Sequence, residues 1–230
     1  MTRLVLFDID GTLVWPNGAG ALAMQRALEE VFGTSGGLED VAMVGMTDRS
    51  IIQQALAGSG LSAADIQARW EAFAQALERH MESTVIERQL RACPGAIALL
   101  EALAAREDVL LGLVTGNLEN TAPIKLRAAG IDPVIFRVGG FGSDHGDRNE
   151  LPAIAARRAE MLTGETFAGQ DIVVVGDTPA DVACGKAVGG CTVAVATGSL
   201  PRDRLVAARP DYLFPDLTDG EAVIRAILAC

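Results

Sequence analysis

The sequence has few aromatic residues, only two histidines, and no Cys-x-x-Cys pair among its four cysteines, Cys93, Cys184, Cys191 and Cys230. The missing Cys/His pattern excludes a zinc centre built from those ligands. The four cysteines read as reduced cytosolic thiols. Positive charge is also short: 19 Lys and Arg face 30 Asp and Glu, a net charge of -11. A field of that sign excludes nucleic acids and anionic membranes as partners held by bulk charge. An anionic substrate would have to be attracted locally, by a metal ion or by a few placed cations. No apolar run approaches the ~20 residues needed to span a bilayer. The N-terminus enters a strand within three residues, with no apolar signal segment, so a cytoplasmic location is expected. Internal repeats and low-complexity tracts are absent too.

What is present is apolar mass. Half of the 230 residues are hydrophobic, which suffices for one large domain, or for a core with a smaller insertion. Short apolar runs rich in β-branched residues recur at Leu4–Phe7, Val109–Val114, Val134–Val138, Ile172–Val175 and Thr192–Val195, with a weaker one at Tyr212–Phe214. Helical patterns separate several of them. Near-continuous apolar strands alternating with helices predict an α/β fold with a Rossmann-like parallel sheet covered on both faces.

The interval between the first two strands differs. Residues 16–91 show helical patterns only: Ala21–Phe32, a helix capped near Asp48, and a Ser62-Ala63-Ala64-Asp65 capping box followed by Ile66, Trp70, Phe73, Leu77 and Met81 at spacings of three and four. A plain crossover needs one helix. The expected organisation is therefore a core of residues 1–15 and 92–230 carrying an inserted α-helical cap, residues 16–91. Cys93-Pro94-Gly95 turns the chain back into the core. Gly139 to Asp147 reads as one long glycine-rich polar loop, closed by Arg148.

The chemistry gathers at the strand ends. The first apolar run stops at Asp8-Ile9-Asp10-Gly11-Thr12, two carboxylates on the same side of an extended chain. Like charges so placed need a cation or a proton to relieve them. A second strand ends in Thr115-Gly116-Asn117, a small hydroxyl beside free backbone N–H groups, suited to an oxyanion. A third ends in Gly176-Asp177-Thr178-Pro179-Ala180-Asp181, with Pro179 fitting the first turn of a helix and Asp181 just inside it. The carboxyl ends of such strands form the binding crevice of open α/β sheets, and oxygen-rich acidic sites suit Mg²⁺.

These motifs, in this order, resemble the Mg²⁺-dependent phosphatase branch of the haloacid dehalogenase superfamily. The helical insert resembles the C1-type cap of its phosphoglycolate-phosphatase-like subgroup. The resemblance implies that Asp8 attacks phosphorus and forms an aspartyl-phosphate. Asp10 then protonates the leaving alcohol and deprotonates the hydrolytic water. It implies Mg²⁺ held by the Asp8 carboxylate, the Asp10 carbonyl oxygen and Asp177, with Asp181 orienting the metal loop. It implies a phosphoryl site at Thr115, Gly116 and Asn117, and a small phosphorylated metabolite as substrate, phosphoglycolate being the first to test. Where that family places a lysine, this chain offers Arg148; Lys125 competes for the role, and Lys186 is a weaker third. In the cap, Thr47 and Arg49 are candidates for contact with the leaving group, against ordinary helix capping by Thr47 or Asp48. Asp144, His145 and Asp147 either touch substrate or shape their turn. A β-phosphoglucomutase-like phosphotransferase would share every core motif, but such mutases carry a His in the first cap helix and Ala21–Phe32 has none. A dehalogenase lacks a second acid like Asp10. A non-catalytic phosphate- or partner-binding module would have no use for two facing carboxylates.

Overall fold

The apolar strand runs assemble into one parallel sheet. The structure, a computed structural model, describes residues 2–230. In chain order its elements are β1 (Arg3–Phe7), β2 (Val14–Trp15), α1 (Ala19–Phe32), α2 (Asp48–Ala55), α3 (Ala63–Ala68), α4 (Trp70–Glu87), β3 (Arg91–Ala92), α5 (Ala96–Ala104), β4 (Val109–Thr115), α6 (Ala122–Ala128), β5 (Val138–Phe141), α7 (Leu151–Thr163), β6 (Ile172–Gly176), α8 (Pro179–Ala187), β7 (Cys191–Val195), α9 (Arg202–Ala208), β8 (Tyr212–Phe214) and α10 (Gly220–Ala229). The six-stranded sheet runs β5-β4-β1-β6-β7-β8, every pair parallel.

The two-residue period of the strands sorts their side chains into two cores. Val5, Phe7, Val173 and Val175 face one way, into the cluster with Leu99 and Leu103 of α5 and Val223 and Ile227 of α10. Leu4, Leu6, Ile172 and Val174 face the other, against Leu151, Ala155 and Ala159 of α7. Burial on both faces explains why these runs are continuously apolar. Because β1 is central, a residue just past its end sits at the middle of the sheet's carboxyl edge.

Helices α1–α4 form an inserted helical region between β2 and β3, which pair antiparallel, Val14 with Ala92 and Trp15 with Arg91. Phe73, Leu77 and Met81 of α4 pack with Met24, Ala27 and Leu28 of α1 in the same apolar cluster as the first sheet face. Among the described residues, no helix is long and apolar enough to cross a membrane.

Four local expectations are corrected. The strand expected at Val134–Val138 begins only at Val138: Asp132 caps a 3-10 turn at Pro133–Ile135, and the strand runs on through Gly139 and Gly140. Those glycines are strand because they pair with Leu113 and Val114 of β4, and they are glycine because the Phe141 ring at Gly139 and the Leu151 backbone at Gly140 occupy the space a Cβ would need. The helix begun by the Ser62–Asp65 capping box breaks at Arg69, giving α3 and α4. Thr47, not Asp48, caps α2, its hydroxyl accepting from Ser50 N. Finally, Cys191 and Cys230 are joined in a disulfide with Cα atoms 5.8 Å apart, while Cys93 and Cys184 are free and buried. Only in the fold does the start of β7 meet the end of α10, which is why thiols 39 residues apart looked unrelated.

Candidate active site

Five acids and two cations meet at the carboxyl edge of the sheet. Asp8 continues the ladder of β1, its N–H donating to Val175 O at 2.9 Å, and its side chain is buried. Gly11 then turns at φ 86°, and the Asp177 carboxylate lies where a Cβ on Gly11 would stand. Only glycine allows both the turn and that approach. Thr12 Oγ1 donates to Asp177 Oδ1 at 3.1 Å, so the loop after β1 holds the acid that follows β6.

Asp181 sits at the third position of α8 in a capping box. Its Oδ2 accepts from Thr178 N at 2.9 Å and from Thr178 Oγ1 at 2.7 Å. Its Oδ1 accepts from Arg148 at 2.6 Å, and the same guanidinium nitrogen lies 3.0 Å from Asp8 Oδ1. Arg148 is thus a buried bridge between Asp8 and Asp181. On the other side, Asp10 Oδ2 accepts from Lys125 Nζ at 2.6 Å and from Asn117 Nδ2 at 2.8 Å. Lys125 also donates to Asn117 Oδ1 at 2.6 Å, and Asn117 Nδ2 reaches Thr115 Oγ1 at 2.8 Å. Asp10 Oδ1 is closed off from solvent and has no hydrogen-bond partner.

Burial is the largest influence on the acids. It pushes the Asp8 carboxyl well above the usual range; Arg148 opposes this, while Asp181 and Asp10 add to it. Burial likewise pushes Asp177 up, helped by Asp181 and Asp8 and opposed by Thr12 and Arg148. For Arg148 burial disfavours the charge, but Asp181 and Asp8 outweigh it and hold the guanidinium firmly protonated. Carboxyl oxygens of Asp8, Asp177 and Asp181 lie within 4.8 Å of one another. Thr178 and Arg148 engage both oxygens of Asp181, leaving Asp8 and Asp177 as the acids with capacity for a hard cation. Two carboxylates whose ionisation is resisted by burial, with further oxygen donors beside them, fit Mg²⁺.

A family model for haloacid dehalogenase-like hydrolases matches residues 2–189. The chain belongs to that family. It is 33% identical over 208 residues to a phosphoglycolate phosphatase of Rhodospirillum rubrum, covering 86% of this chain and 81% of that one. It is 30% identical over 228 residues to a phosphoglycolate phosphatase of Synechococcus elongatus, covering 94% of each. In fold it matches a hydrolase from Pseudomonas syringae with a TM-score of 0.70 at 23% identity, over 98% of both chains. This chain is thus a haloacid dehalogenase-like hydrolase of the phosphoglycolate-phosphatase-like subgroup, with curated phosphatase relatives.

Within the hydrolase, Asp8, Asp10, Thr115, Gly116, Asn117, Arg148 and Asp177 all line one cavity of about 670 Å³ between sheet and helical insert. Asp181 lies beneath it, 1% exposed. Lys125, the competing candidate, lines the same cavity and is 3% exposed. Lys186 lies elsewhere, donating to the carbonyls of Ala208 and Arg209 at the end of α9. Thr47 donates to Gly146 O at 2.7 Å, and Arg49 lies over the Trp70 ring and donates to Gln67; neither lines the cavity. The glycine-rich turn is internally satisfied: Asp144 pairs with Arg158, Asp147 accepts from Asn149 N, and His145 Nδ1 accepts from Asp147 N.

The residue that sequence reasoning passed over as a mere helix cap is Asp48. It is buried, its Oδ2 accepts from Leu118 N at 3.1 Å, and its own N–H donates to Gly116 O at 2.7 Å. Burial pushes its carboxyl up to about 6, against the pull of Lys125 and with the push of Asp10. Met46 O fills the space a Cβ at Gly116 would take. The insert therefore docks on the Thr115-Gly116-Asn117 turn through residues 46–48. The available signal was the pairing of a glycine at a strand end with a Gly-Met-Thr-Asp segment in the insert.

Proposed function

We propose that this hydrolase is a Mg²⁺-dependent phosphomonoesterase working through an aspartyl-phosphate, with residues 16–91 as a cap over a core of 1–15 and 92–230. The observation that carries this reading is the division of partners between the two aspartates of the Asp8-Ile9-Asp10 segment. Asp8 faces Arg148, which favours the ionised carboxylate that a nucleophile requires. Asp10 has one oxygen tied to Lys125 and Asn117, leaving Oδ1 to give and take a proton.

In the first step an Asp8 oxygen bonds to phosphorus as the phosphorus–alkoxy bond breaks, and Asp10 passes its proton to the departing oxygen. In the second, Asp10 removes a proton from water, water oxygen bonds to phosphorus, and Asp8 is released with inorganic phosphate. Thr115, Gly116 and Asn117 border the phosphoryl oxygens, and Arg148 and Lys125 supply positive charge on either side. The Asp8 and Asp177 carboxylates and the Asp10 carbonyl would hold Mg²⁺, which when bound supplies charge neutralisation between the acids and the phosphoryl group. The insert screens the site from bulk water and restricts it to small phosphorylated metabolites. The relatives' names put phosphoglycolate on the substrate panel.

The test is release of p-nitrophenol from p-nitrophenyl phosphate with Mg²⁺ and with chelator. Turnover that chelator abolishes and that Asp8→Asn eliminates supports the reading. Full turnover in Asp8→Asn sinks the nucleophile assignment. Phosphate binding with no hydrolysis across a broad panel would favour a binding module.

A further inference from the structure

The cap side of the cavity is unusual for what it withholds. Its wall is built from Trp15, Met24, Met43, Val44, Met46 and Ile51. Two of these are large apolar side chains left partly open: Trp15 is 40% exposed and Val44 50%. Trp15 gives its only donor, Nε1–H, to Thr197 O at 3.2 Å, so the indole offers the cavity carbon surface. Asn17 turns its amide away, towards the carbonyls of Arg88 and Gln89.

Cations are missing from that wall as well. The insert has no lysine. Arg26 is paired with Glu87, Arg79 with Glu30, Arg69 lies over Phe32 and Arg49 over Trp70. Arg88 lines a neighbouring cavity alongside Glu39. Of the two cations that do line the cavity, Lys125 is committed to Asp10, and Arg148 to Asp8 and Asp181. The single charged residue of the insert on the wall is Asp48, itself an acid. On that wall a carboxylate carried by the leaving group would meet an acid and carbon, and the cavity's two cations are already shared among Asp8, Asp10 and Asp181, a penalty that an uncharged group escapes. A cavity of about 670 Å³ also lies in the range that holds ligands well beyond a two-carbon acid.

Resting on the phosphatase reading, we propose that the leaving group this cavity selects is an uncharged, apolar alcohol of aryl or arylalkyl size, rather than a carboxylate-bearing one. Apolar walls reward buried ring surface. Of the polar side chains that also line the cavity, Asn17, Thr178 and Thr197 are turned to the Arg88 and Gln89 carbonyls, Asp181 and the Gly11 carbonyl, which leaves Ser199 and little else to replace the hydration of a polyol and disfavours sugar phosphates.

The experiment is a kcat/KM comparison with Mg²⁺ of benzyl phosphate, 4-carboxybenzyl phosphate, ethyl phosphate, phosphoglycolate and a hexose phosphate. The methylene insulates the leaving oxygen from the ring substituent, so the benzyl pair differs in charge at the wall and little in intrinsic reactivity. Benzyl phosphate is expected to exceed each of the others at least tenfold. Val44→Arg, at a half-exposed position outside the chemistry, is expected to close the gap between the benzyl pair by at least tenfold. A wild-type enzyme that cleaves phosphoglycolate, 4-carboxybenzyl phosphate or the hexose phosphate as well as benzyl phosphate overturns the proposal while leaving the phosphatase reading intact. An unchanged ratio in Val44→Arg overturns it too. No phosphate release from any ester, p-nitrophenyl phosphate included, removes both.

Discussion

Replacing a buried acid that already has a hydrogen-bond partner should stabilise this protein. Asp48 titrates at about 6 when folded, against 3.8 for an unperturbed aspartate, because burial penalises its charge more than Lys125 and the Leu118 N–H favour it. Its folded value is raised, so the stabilisation it contributes is complete below about pH 4. That contribution is lost as pH rises to about 6 and stays lost above. At about 1.36 kcal/mol per pH unit of displacement, ionised Asp48 costs the fold about 3 kcal/mol at pH 8. That figure already contains the benefit of its own hydrogen bond. Asp48→Asn keeps an acceptor for Leu118 N and removes the charge. Urea unfolding of both proteins at pH 4 and pH 8 gives four free energies. The stabilisation by Asp48→Asn at pH 8 should exceed that at pH 4, where the unfolded carboxyl is already partly ionised, by about 2.5 kcal/mol, with little change in the urea slope. Comparing the two pH values cancels the titrating groups that do not interact with Asp48 and any fixed cost of the amide. Equal effects at the two pH values, or greater destabilisation at pH 8, would refute the claim that this carboxyl is buried against its charge.

Other perturbations separate the parts of the site. Arg148→Ala strands Asp8 and Asp181 without their shared cation, so a loss of about 3–5 kcal/mol in stability is expected together with loss of turnover; Arg148→Lys should recover most of the stability. If Lys125→Ala abolishes hydrolysis while Arg148→Ala retains it, Lys125 rather than Arg148 supplies the essential phosphate-site charge. Burial raises the Asp8 and Asp177 carboxyls above the usual range, so protons compete with Mg²⁺ for them, and Mg²⁺ should raise the melting temperature more at pH 8 than at pH 5.5. At about 100-fold over Kd the alkaline shift should be on the order of 5–10 °C, and equal shifts at both pH values would count against a carboxylate site. Gly116→Ala drives a methyl group into Met46 O, so the insert cannot dock as it does here. A rise in KM for p-nitrophenyl phosphate is expected, and an unchanged KM would show the contact to be dispensable.

Much of this was legible because the strands advertise themselves. An apolar run that stops at Asp8-Ile9-Asp10 has one physical reading, a buried strand ending at a charged edge, and β1, β4, β6 and β7 were all visible in that way. β5 was misplaced because Gly139 and Gly140 look like loop, and only their pairing with β4 makes them strand. Lys125 could be named only as a competitor to Arg148 because a lysine on a short helix ordinarily seeks solvent. Its burial depends on Asp10 and Asn117, which arrive from other strand ends. Asp48 looked like a helix cap because its partners, Leu118 N and Gly116 O, belong to a turn about 70 residues away in sequence. Side chains defined by their own element could be read; those defined by a meeting of elements could not.

That dependence makes enzymatic activity a stringent reporter of complete folding. Thr12 and Asp177 are 165 residues apart in sequence yet share a hydrogen bond, and β1 is flanked by β4 and β6, both distant along the chain. A partly folded species with only its N-terminal strand and helices in place would hold Asp8 and Asp10 without Arg148, Lys125 or Asp177. Contacts of such long range form slowly. During refolding, the return of turnover should trail the return of helical circular dichroism, because the candidate site at the sheet edge is finished only when the latter half of the sheet closes around β1.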